Sequence, residues 1–253
     1  MDNFYDCLAR HYDTMQSDMD VRAWAEYYAS LIERHSKIKV RSITDLGCGT
    51  GSVDIPLAKM GYKVTGIDSA GQMLTLASAR RGAGKIIWSL QDITDFELPF
   101  KTDCFISVLD TVDHITDENT IRKMFAIIAD YLNAGGVFVF DAITRKHLAK
   151  TLADNVFYED YEDFTLLWLN SYDADTRTNT AELTLFEKQA DGRFVRYDGD
   201  LVERFYPEKF FVQTAKKAGL VHLGTYDELS DNAPDKDSER IFLVFGKPSE
   251  ENG

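Results

Sequence analysis

The chain has few cysteines, and none of them lie close together. Cys7, Cys48 and Cys104 are the three cysteines among 253 residues, and no C-x-x-C pair is present. No group of cysteines and histidines has the spacing of a zinc site. The sequence therefore excludes a disulfide scaffold, predicts no bound metal, and favours the reducing cytoplasm as the location.

Long apolar runs and clusters of positive charge are also missing. No stretch approaches the roughly 20 apolar residues that span a bilayer, and an N-terminus with Asp2 and Asp6 does not resemble a signal peptide. Lysines and arginines number 28 against 42 acidic residues, which gives a net charge of −14. Because such a surface repels polyanions, we expect neither a membrane nor a nucleic acid as the partner.

The sequence does contain an alternation of apolar strand segments and amphipathic helices. A helical segment comes first, over residues 4–35, with an apolar stripe that includes Trp24 and Leu31. Strands are predicted at 42–46, 63–67, 85–90, 104–109 and 137–141, and helices at 53–60, 71–80 and 118–133. Strands this apolar, separated by helices, predict an α/β fold whose parallel sheet is covered by helices on both faces.

The pattern changes after residue 155. Segments 164–172, 178–188 and 193–205 alternate polar and apolar residues, which predicts an antiparallel β-meander. The α/β pattern then resumes with a helix at 207–218, strands at 221–225 and 240–245, and a tail predicted to be disordered. We therefore expect an α/β domain of residues 1–154 and 207–253, with an N-terminal helical segment 1–36, and a β-insert at 155–206.

Residues Ile43 to Gly51, with the sequence Ile-Thr-Asp-Leu-Gly-Cys-Gly-Thr-Gly, join the first strand to the next helix. Three glycines let this turn approach a ligand more closely than a Cβ would allow. Nucleotide-like cofactors bind at this place in open α/β sheets. Asp68 ends the second strand about 20 residues later, where a carboxylate accepts hydrogen bonds from a ribose diol. The alternative role for Asp68 is to cap the helix that begins near Gly71.

A nicotinamide dinucleotide is the competing cofactor for such a site. Its fingerprint requires Gly or Ala at the position that Ser52 occupies here. Carboxylates that include Asp45, Asp92 and Asp110 accompany successive strands. They suit a ligand with an adenosine and an amine-bearing end, and they repel a pyrophosphate.

Five segments of the chain together resemble the class I S-adenosylmethionine-dependent methyltransferases. They are residues 45–51, 66–69, 91–93, 106–115 and 132–136. The opening residues 4–13 are similar to the N-terminus of many members that act on small molecules, and the β-insert resembles one bacterial branch of the family. The resemblance implies a Rossmann-like seven-stranded sheet and S-adenosylmethionine as the cofactor.

The resemblance also implies roles for individual residues. Asp45 would lie near the cofactor's ammonium group, Asp68 would hold the ribose hydroxyls, and Asp92 would accept from the adenine amino group. Ile93 would pack on the adenine ring, and Leu109 would offer its backbone to the amino acid end. The implied cofactor-binding residues are Tyr12, Asp45, Gly47, Cys48, Gly49, Asp68, Ser69, Met73, Asp92, Ile93 and Leu109.

Asp110, Asp113 and His114 follow the fourth strand, at the sheet edge where an acceptor is expected, and they are the candidate catalytic residues. Histidine exchanges protons near neutral pH, so His114 is the best candidate for a base, and a base is needed only when the nucleophile loses a proton. Asp113 is expected to orient His114 or to bind an amine. The alternative is that both only flank the next helix. The remaining histidines are expected to be surface or packing residues: His11, His35, His147 and His222.

The β-insert is rich in aromatic side chains, which predict either a lid or a dimer surface: Trp168, Tyr172, Phe186, Tyr197, Phe205 and Tyr206. The sequence as a whole predicts a monomeric or homodimeric enzyme that transfers a methyl group from S-adenosylmethionine to an O, N or C atom of a small molecule. Two alternatives stay open. One is an NAD(P)-dependent oxidoreductase, and the other is a non-catalytic protein that binds S-adenosylmethionine or a partner.

Overall fold

The computed structural model describes residues 4–249. Six α-helices within this range are α1 (Phe4–Met15), α2 (Val21–His35), α3 (Asp54–Lys59), α4 (Gly71–Ala79), α5 (Glu118–Tyr131) and α6 (Glu208–Lys217). The strands of the α/β part are β1 (Ser42–Leu46), β2 (Lys63–Asp68), β3 (Ile87–Leu90), β4 (Thr102–Ser107), β5 (Leu132–Ile143), β10 (Val221–Asp227) and β11 (Arg240–Gly246). The strands of the insert are β6 (Val156–Asp160), β7 (Phe164–Asp173), β8 (Thr178–Lys188) and β9 (Phe194–Arg204).

Seven strands form the central sheet, in the order β10-β11-β5-β4-β1-β2-β3. Parallel pairing joins β5, β4, β1, β2 and β3 in that order, while β11 runs antiparallel to both of its neighbours, β10 and β5. The chain order reverses between β1 and β4, and the carboxyl ends of these strands open the crevice where ligands bind in such sheets. The predicted α/β fold with a seven-stranded sheet is confirmed.

The two faces of this sheet are covered by different helices. On β5, Val137 and Val139 pack into a core with residues of α2 and α3, while Phe138 and Phe140 pack against residues of α5 and α6. Successive residues of a strand point to opposite faces, so an apolar run such as this one supplies both cores. The prediction of helices on both faces is therefore confirmed.

The insert forms a four-stranded antiparallel sheet in the order β6-β7-β8-β9. Three of its strands match the predicted meander, and the fourth, β6, was not predicted. One face of this sheet packs on the N-terminal helix: Phe4, Cys7 and Leu8 share a core with Phe164 and residues of β7 and β8. Gly199 of β9 lies against the Phe4 ring, where an added Cβ would come within 2.1 Å of a ring carbon. The division into two domains stays a prediction.

The N-terminal helical segment is two helices rather than one. Asp20 caps α2, because its carboxylate accepts hydrogen bonds from the amides of Arg22 and Ala23. The tail predicted to be disordered falls mostly on residues 250–253, which lie outside the described range. Residues 1–3 also lie outside it. Between residues 4 and 249, no helix has both the length and the apolarity to cross a membrane.

Candidate active site

The glycine turn after β1 adopts a backbone that few other residues adopt. Gly47 and Gly49 have φ angles of +81° and +53°, in the left-handed region. A Cβ on Gly47 would lie 2.3 Å from Thr111 Cγ2, whereas a Cβ on Gly49 would have no protein atom within 4 Å. Gly47 is thus required by the packing of the protein, and Gly49 borders open space.

That open space is a cavity of about 560 Å³ at the carboxyl ends of β1 to β4. A narrow extension of about 40 Å³ shares part of its wall and continues beneath the glycine turn. A groove of about 680 Å³ beside α2 and α3 is larger, but none of the predicted site residues lines it. The cavity and its extension are together lined by the predicted residues Tyr12, Asp45, Gly47, Cys48, Gly49, Asp68, Ser69, Met73, Asp92, Ile93, Leu109 and His114.

Asp68 holds two backbone amides at the edge of the cavity. One carboxylate oxygen accepts from Gly49 N at 2.8 Å, and the other accepts from Ala70 N at 2.8 Å. The N-cap residue of α4 is Ala70, so the capping role proposed as an alternative for Asp68 is not observed in its usual form. Each oxygen retains a second lone pair that can accept from a ligand hydroxyl.

Asp45 and Asp54 form a buried carboxyl pair behind the glycine turn. Asp45 is 2% exposed and Asp54 is fully buried. Burial raises the pKa of Asp54 to about 7, and burial together with the neighbouring Asp54 raises the pKa of Asp45 well above its usual range. When both are ionised, neither can donate a hydrogen bond to the other, and Asp45 Oδ1 has no partner between residues 4 and 249. A proton or a cation is needed to stabilise this pair.

Helix α1 closes one side of the cavity. Tyr12 lines it, and burial, with the negative charges of Asp110 and Asp68, raises the pKa of Tyr12 to about 12. The phenol is therefore neutral and able to donate a hydrogen bond at physiological pH. Asp13 accepts a hydrogen bond of 2.7 Å from Thr50 in the glycine turn and also pairs with Arg80. These contacts tie α1 to the turn.

The catalytic role predicted for Asp110 conflicts with its contacts. Its carboxylate forms a bidentate ion pair with Arg240 of β11, which also pairs with the buried Asp141. Asp141 accepts from the amides of Leu109 and Asp110, whose φ angles are +57° and +63°. The Asp110 carboxylate is thus already neutralised and lies outside the cavity lining. Because Leu109 N–H is also taken, Leu109 can offer only its carbonyl to the cofactor.

Asp113 is not placed to orient His114 or to bind an amine, so that prediction is wrong. Its side chain is fully buried and accepts a hydrogen bond of 2.9 Å from Ile143 N. Burial raises the pKa of Asp113 well above its usual range. The carboxyl group fastens the short 3₁₀ turn Thr111–His114 to the end of β5.

His114 does line the cavity, and its contacts define the orientation of the ring. Nδ1 lies 3.1 Å from the carbonyl oxygen of Val202 in β9. A carbonyl can only accept, so in the neutral ring Nδ1 carries the proton and Nε2 keeps its lone pair. Nε2 lies 4.0 Å from a carboxylate oxygen of Glu203. The Val202 carbonyl of the insert therefore orients the ring of His114, the candidate base.

The other histidines have polar partners that were not predicted. His11 Nε2 lies 3.0 Å from Glu187, which also binds Arg10, and the His11 ring packs on Phe164. His35 contacts the Tyr226 hydroxyl at 2.7 Å. His147 contacts Glu239, and His222 contacts Thr225. The partners of His11, His35 and His147 come from distant parts of the chain, so no local pattern could reveal them. The absence of a bound metal stays a prediction.

Known proteins resemble this chain in sequence and in fold. A family model described as a methyltransferase domain matches residues 43–136, which include the glycine turn and the acidic strand ends. A candidate methyltransferase of Geobacillus sp. strain WCH70 is 27% identical over 245 residues, which are 96% of this chain and 99% of that protein. The structure of an S-adenosylmethionine-dependent methyltransferase from Clostridium acetobutylicum has a TM-score of 0.85 and 25% identity, and the match covers 98% of this chain and all of that one. The chain is thus similar, over nearly its whole length, to S-adenosylmethionine-dependent methyltransferases.

The resemblance noted in the sequence is thereby confirmed, together with S-adenosylmethionine as the cofactor. YqeM of Bacillus subtilis strain 168, also a candidate methyltransferase, is 26% identical over 96% of this chain and 97% of its own length. The sugar N-methyltransferase KedS8 from Streptoalloteichus sp. shares the fold, with a TM-score of 0.77 at 18% identity over 98% of this chain and 94% of that chain.

The residues of this site fit S-adenosylmethionine chemically. An ammonium group would stabilise the buried Asp45, whose Oδ1 has no partner in the described range. At Gly49, a side chain would fill the open space that a ligand needs. Asp92 reaches the cavity wall and accepts from Thr94 N and Oγ1 through one of its oxygens, at 2.7 Å in each case.

Three residues of this site escaped sequence analysis because their partners are distant in the chain. Arg240 and Asp141 lie on neighbouring strands of the sheet, 99 positions apart. Glu203 reaches the site only through the insert. One signal was present: in an alternating strand, Glu203 shares a face with Leu201, which lines the cavity.

Proposed function

We propose that this protein transfers a methyl group from S-adenosylmethionine to a small-molecule acceptor. The observation that carries the proposal is that eleven predicted cofactor residues, from four strand ends, α1 and α4, line one cavity and its narrow extension. The cavity lies outside the carboxyl ends of the strands, where ligands bind in open α/β sheets.

The carboxylates of the site suit the polar ends of the cofactor. Asp68 would accept from the ribose hydroxyls, while Asp92 would accept from the adenine amino group and Ile93 would pack on the ring. Asp45, in the narrow extension, would pair with the ammonium group of the methionine end. Cys48, Ser69 and Met73 would supply wall contacts. These assignments rest on position in the cavity and on charge.

The cofactor, when bound, supplies a methyl group on a positively charged sulfur. The protein aligns the acceptor with that methyl group and excludes water, which lowers the barrier through orientation. Tyr12 and the insert residue Leu201 close the cavity from two sides. His114 Nε2 is the group that could take a proton from an acceptor, because Asp110 and Asp113 are committed to Arg240 and to Ile143 N.

The oxidoreductase alternative is not favoured. Asp68 and Asp92 line the cavity, and a pyrophosphate placed among these carboxylates would be repelled. A non-catalytic protein that binds S-adenosylmethionine is the second candidate, because the cofactor residues are better defined than the catalytic ones. Cytoplasmic location, a monomer or homodimer, and the lack of a nucleic-acid partner stay predictions.

Calorimetric titration of the protein separates these possibilities. We expect micromolar affinity for S-adenosylmethionine and for S-adenosylhomocysteine, and no detectable binding of oxidised or reduced nicotinamide dinucleotide. Binding of the dinucleotides alone would contradict the proposal. A screen of metabolites for consumption of S-adenosylmethionine then distinguishes an enzyme from a binding protein, since only an enzyme forms S-adenosylhomocysteine with a particular acceptor.

A further inference from the structure

Within the part of the chain that the structure describes, Glu203 is the acidic side chain that pairs with His114. It lies on β9, on the same face as Leu201. Leu201 and His114 line the cavity, and Glu203 contacts His114 from outside the lining. Its side chain is 19% exposed, and its nearest charged partner is His114 Nε2 at 4.0 Å. Between residues 4 and 249, no hydrogen bond to the Glu203 carboxylate is found. A carboxylate with so little access to solvent would gain from a donor that a ligand supplies.

The protein's own cations do not satisfy Glu203. Arg240, which lies nearby, is held by Asp110 and Asp141, with Glu228 3.6 Å away. His147 is bound to Glu239. Burial, together with the negative charge of Asp110, raises the pKa of Glu203, while His114, His147 and Arg240 oppose the increase. A cationic ligand would donate to this carboxylate and also neutralise its charge, whereas a neutral hydroxyl would only donate to it.

We propose that Glu203 binds the ammonium form of an amine acceptor, which makes this protein an amine N-methyltransferase. The inference rests on the proposed function and names its substrate class. Leu8, Ile115 and Leu201 line the cavity and would contact the carbon skeleton of the acceptor. A hydroxyl or carbon acceptor would leave Glu203 without a cation.

The reaction balances with groups that the site provides. An ammonium ion has no lone pair, so it must first lose a proton, and His114 Nε2 is the nearby acceptor for it. The amine nitrogen then forms a bond to the methyl carbon, whose bond to sulfur breaks and leaves its electron pair there. Glu203 stabilises the imidazolium of His114 and the methylated ammonium product by charge.

Matched pairs of ligands with the same carbon skeleton test the inference: benzylamine with benzyl alcohol, and glucosamine with glucose. Affinities are measured by ligand-observed NMR at pH 7.5 with S-adenosylhomocysteine present. For at least one pair, we expect the wild-type protein to bind the amine about tenfold more tightly than the alcohol, as a charge-assisted hydrogen bond predicts. In Glu203→Gln this ratio should fall to about one.

Glu182→Gln is the matched control, because Glu182 is an exposed acid on the neighbouring strand β8 and its replacement removes the same charge. It should keep the amine preference. Equal affinity within both pairs, failure of both amines to bind, or loss of the preference in Glu182→Gln as well would overturn the inference. A separate titration with S-adenosylmethionine tests the proposed function: retained binding without an amine preference refutes only the inference, and no binding refutes the proposed function.

Discussion

Asp68 and Gly49 are joined by a hydrogen bond of 2.8 Å, from the amide of the glycine turn to the carboxylate at the end of β2. The bond connects the ends of two neighbouring parallel strands. The other Asp68 oxygen is fixed by the amide of Ala70. A ribose entering the cavity therefore meets a carboxylate whose conformation is already restricted, which reduces the entropy lost on binding.

Replacing Asp68 by Asn should weaken cofactor binding and loosen the turn. The amide group keeps one acceptor oxygen, so one of the two backbone bonds is lost along with the charge. We expect S-adenosylmethionine to bind at least about tenfold more weakly, and the free energy of unfolding to fall by about 1–2 kcal/mol. Calorimetry and urea titration measure these quantities. Asp130→Asn, at an exposed position of α5, is the control, and an unchanged affinity in Asp68→Asn would remove Asp68 from the site.

Alanine at Gly47 and at Gly49 should have different effects. At Gly47 the added Cβ meets Thr111 and the backbone is left-handed, so stability should fall by about 3 kcal/mol. At Gly49 only the backbone term applies, about 1 kcal/mol, but the Cβ enters the ligand space. Gly49→Ala should thus lose affinity for S-adenosylmethionine with little loss of stability. Gly61→Ala controls for the backbone effect, because Gly61 has φ +103° and open surroundings. Similar affinity for S-adenosylmethionine in all three variants would be evidence against a ligand-binding role for Gly49.

The Asp45–Asp54 pair predicts that stability falls as pH rises towards neutrality. The pKa of Asp54 is about 7 in the folded protein against 3.8 as its ordinary value, so the folded state binds the extra proton between these limits. The stabilisation is complete below the ordinary value and is lost as pH rises through 7. Urea titrations should show a loss of about 2 kcal/mol between pH 5.5 and pH 8. In Asp54→Asn this loss of stability with pH should be smaller, because the amide donates to Asp45 without a titratable proton. If both proteins showed the same pH dependence of stability, the Asp45–Asp54 pair would be refuted as its source.

The same pair makes cofactor binding depend on pH in the opposite sense. The ammonium group of S-adenosylmethionine is attracted to the ionised pair, so affinity should increase as pH rises from 6 to 8. Calorimetry in buffers of different ionisation enthalpy would also detect the proton that leaves the pair on binding. Asp54→Asn should bind with an affinity that changes little over this range. A constant affinity in the wild-type protein would argue against Asp45 as the partner of the ammonium group.

Replacing Arg240 by Met should be among the most destabilising changes. It leaves the buried Asp141 and the neighbouring Asp110 without their cation, which costs about 3–5 kcal/mol in comparable buried pairs. The left-handed turn at Leu109 and Asp110 should loosen as well, because Asp141 holds both amides. Urea denaturation measures the loss. Arg196→Met, which breaks an exposed pair with Asp198, should leave the midpoint unchanged, and a similarly small effect for Arg240→Met would show that the network contributes little.

Replacing His114 by Asn should affect turnover without affecting cofactor binding. The side chain keeps a polar group but loses the base, and general-base catalysis contributes about 10²–10⁴-fold. On an acceptor found by the metabolite screen, kcat should fall by about that factor while affinity for S-adenosylmethionine stays the same. His222→Asn, on β10, is the control. A parallel loss of affinity and of turnover would indicate misfolding instead of a lost base.

Local pattern determined most of the fold and the cofactor half of the site. Apolar strands, the glycine turn and an acid at the end of β2 are signals carried by neighbouring residues, and parallel strands bring their carboxyl ends to one edge. Strand ends differed by a few residues. The predicted entry to β5 at Val137 is one case, since the strand begins at Leu132 and passes through two glycines. The β6 strand escaped because a short edge strand has little periodicity.

The acceptor half of the site was decided by tertiary structure. Asp110, Asp113 and His114 stand within five residues of each other, yet Arg240 binds the first, β5 buries the second, and the insert orients the third. Sequence alone identifies a carboxylate or an imidazole, but its chemistry depends on burial and on charges that arrive from distant strands. For that reason the cofactor could be inferred from the sequence. The role proposed for Glu203, in contrast, depends on the position of β9 beside the cavity in the folded protein.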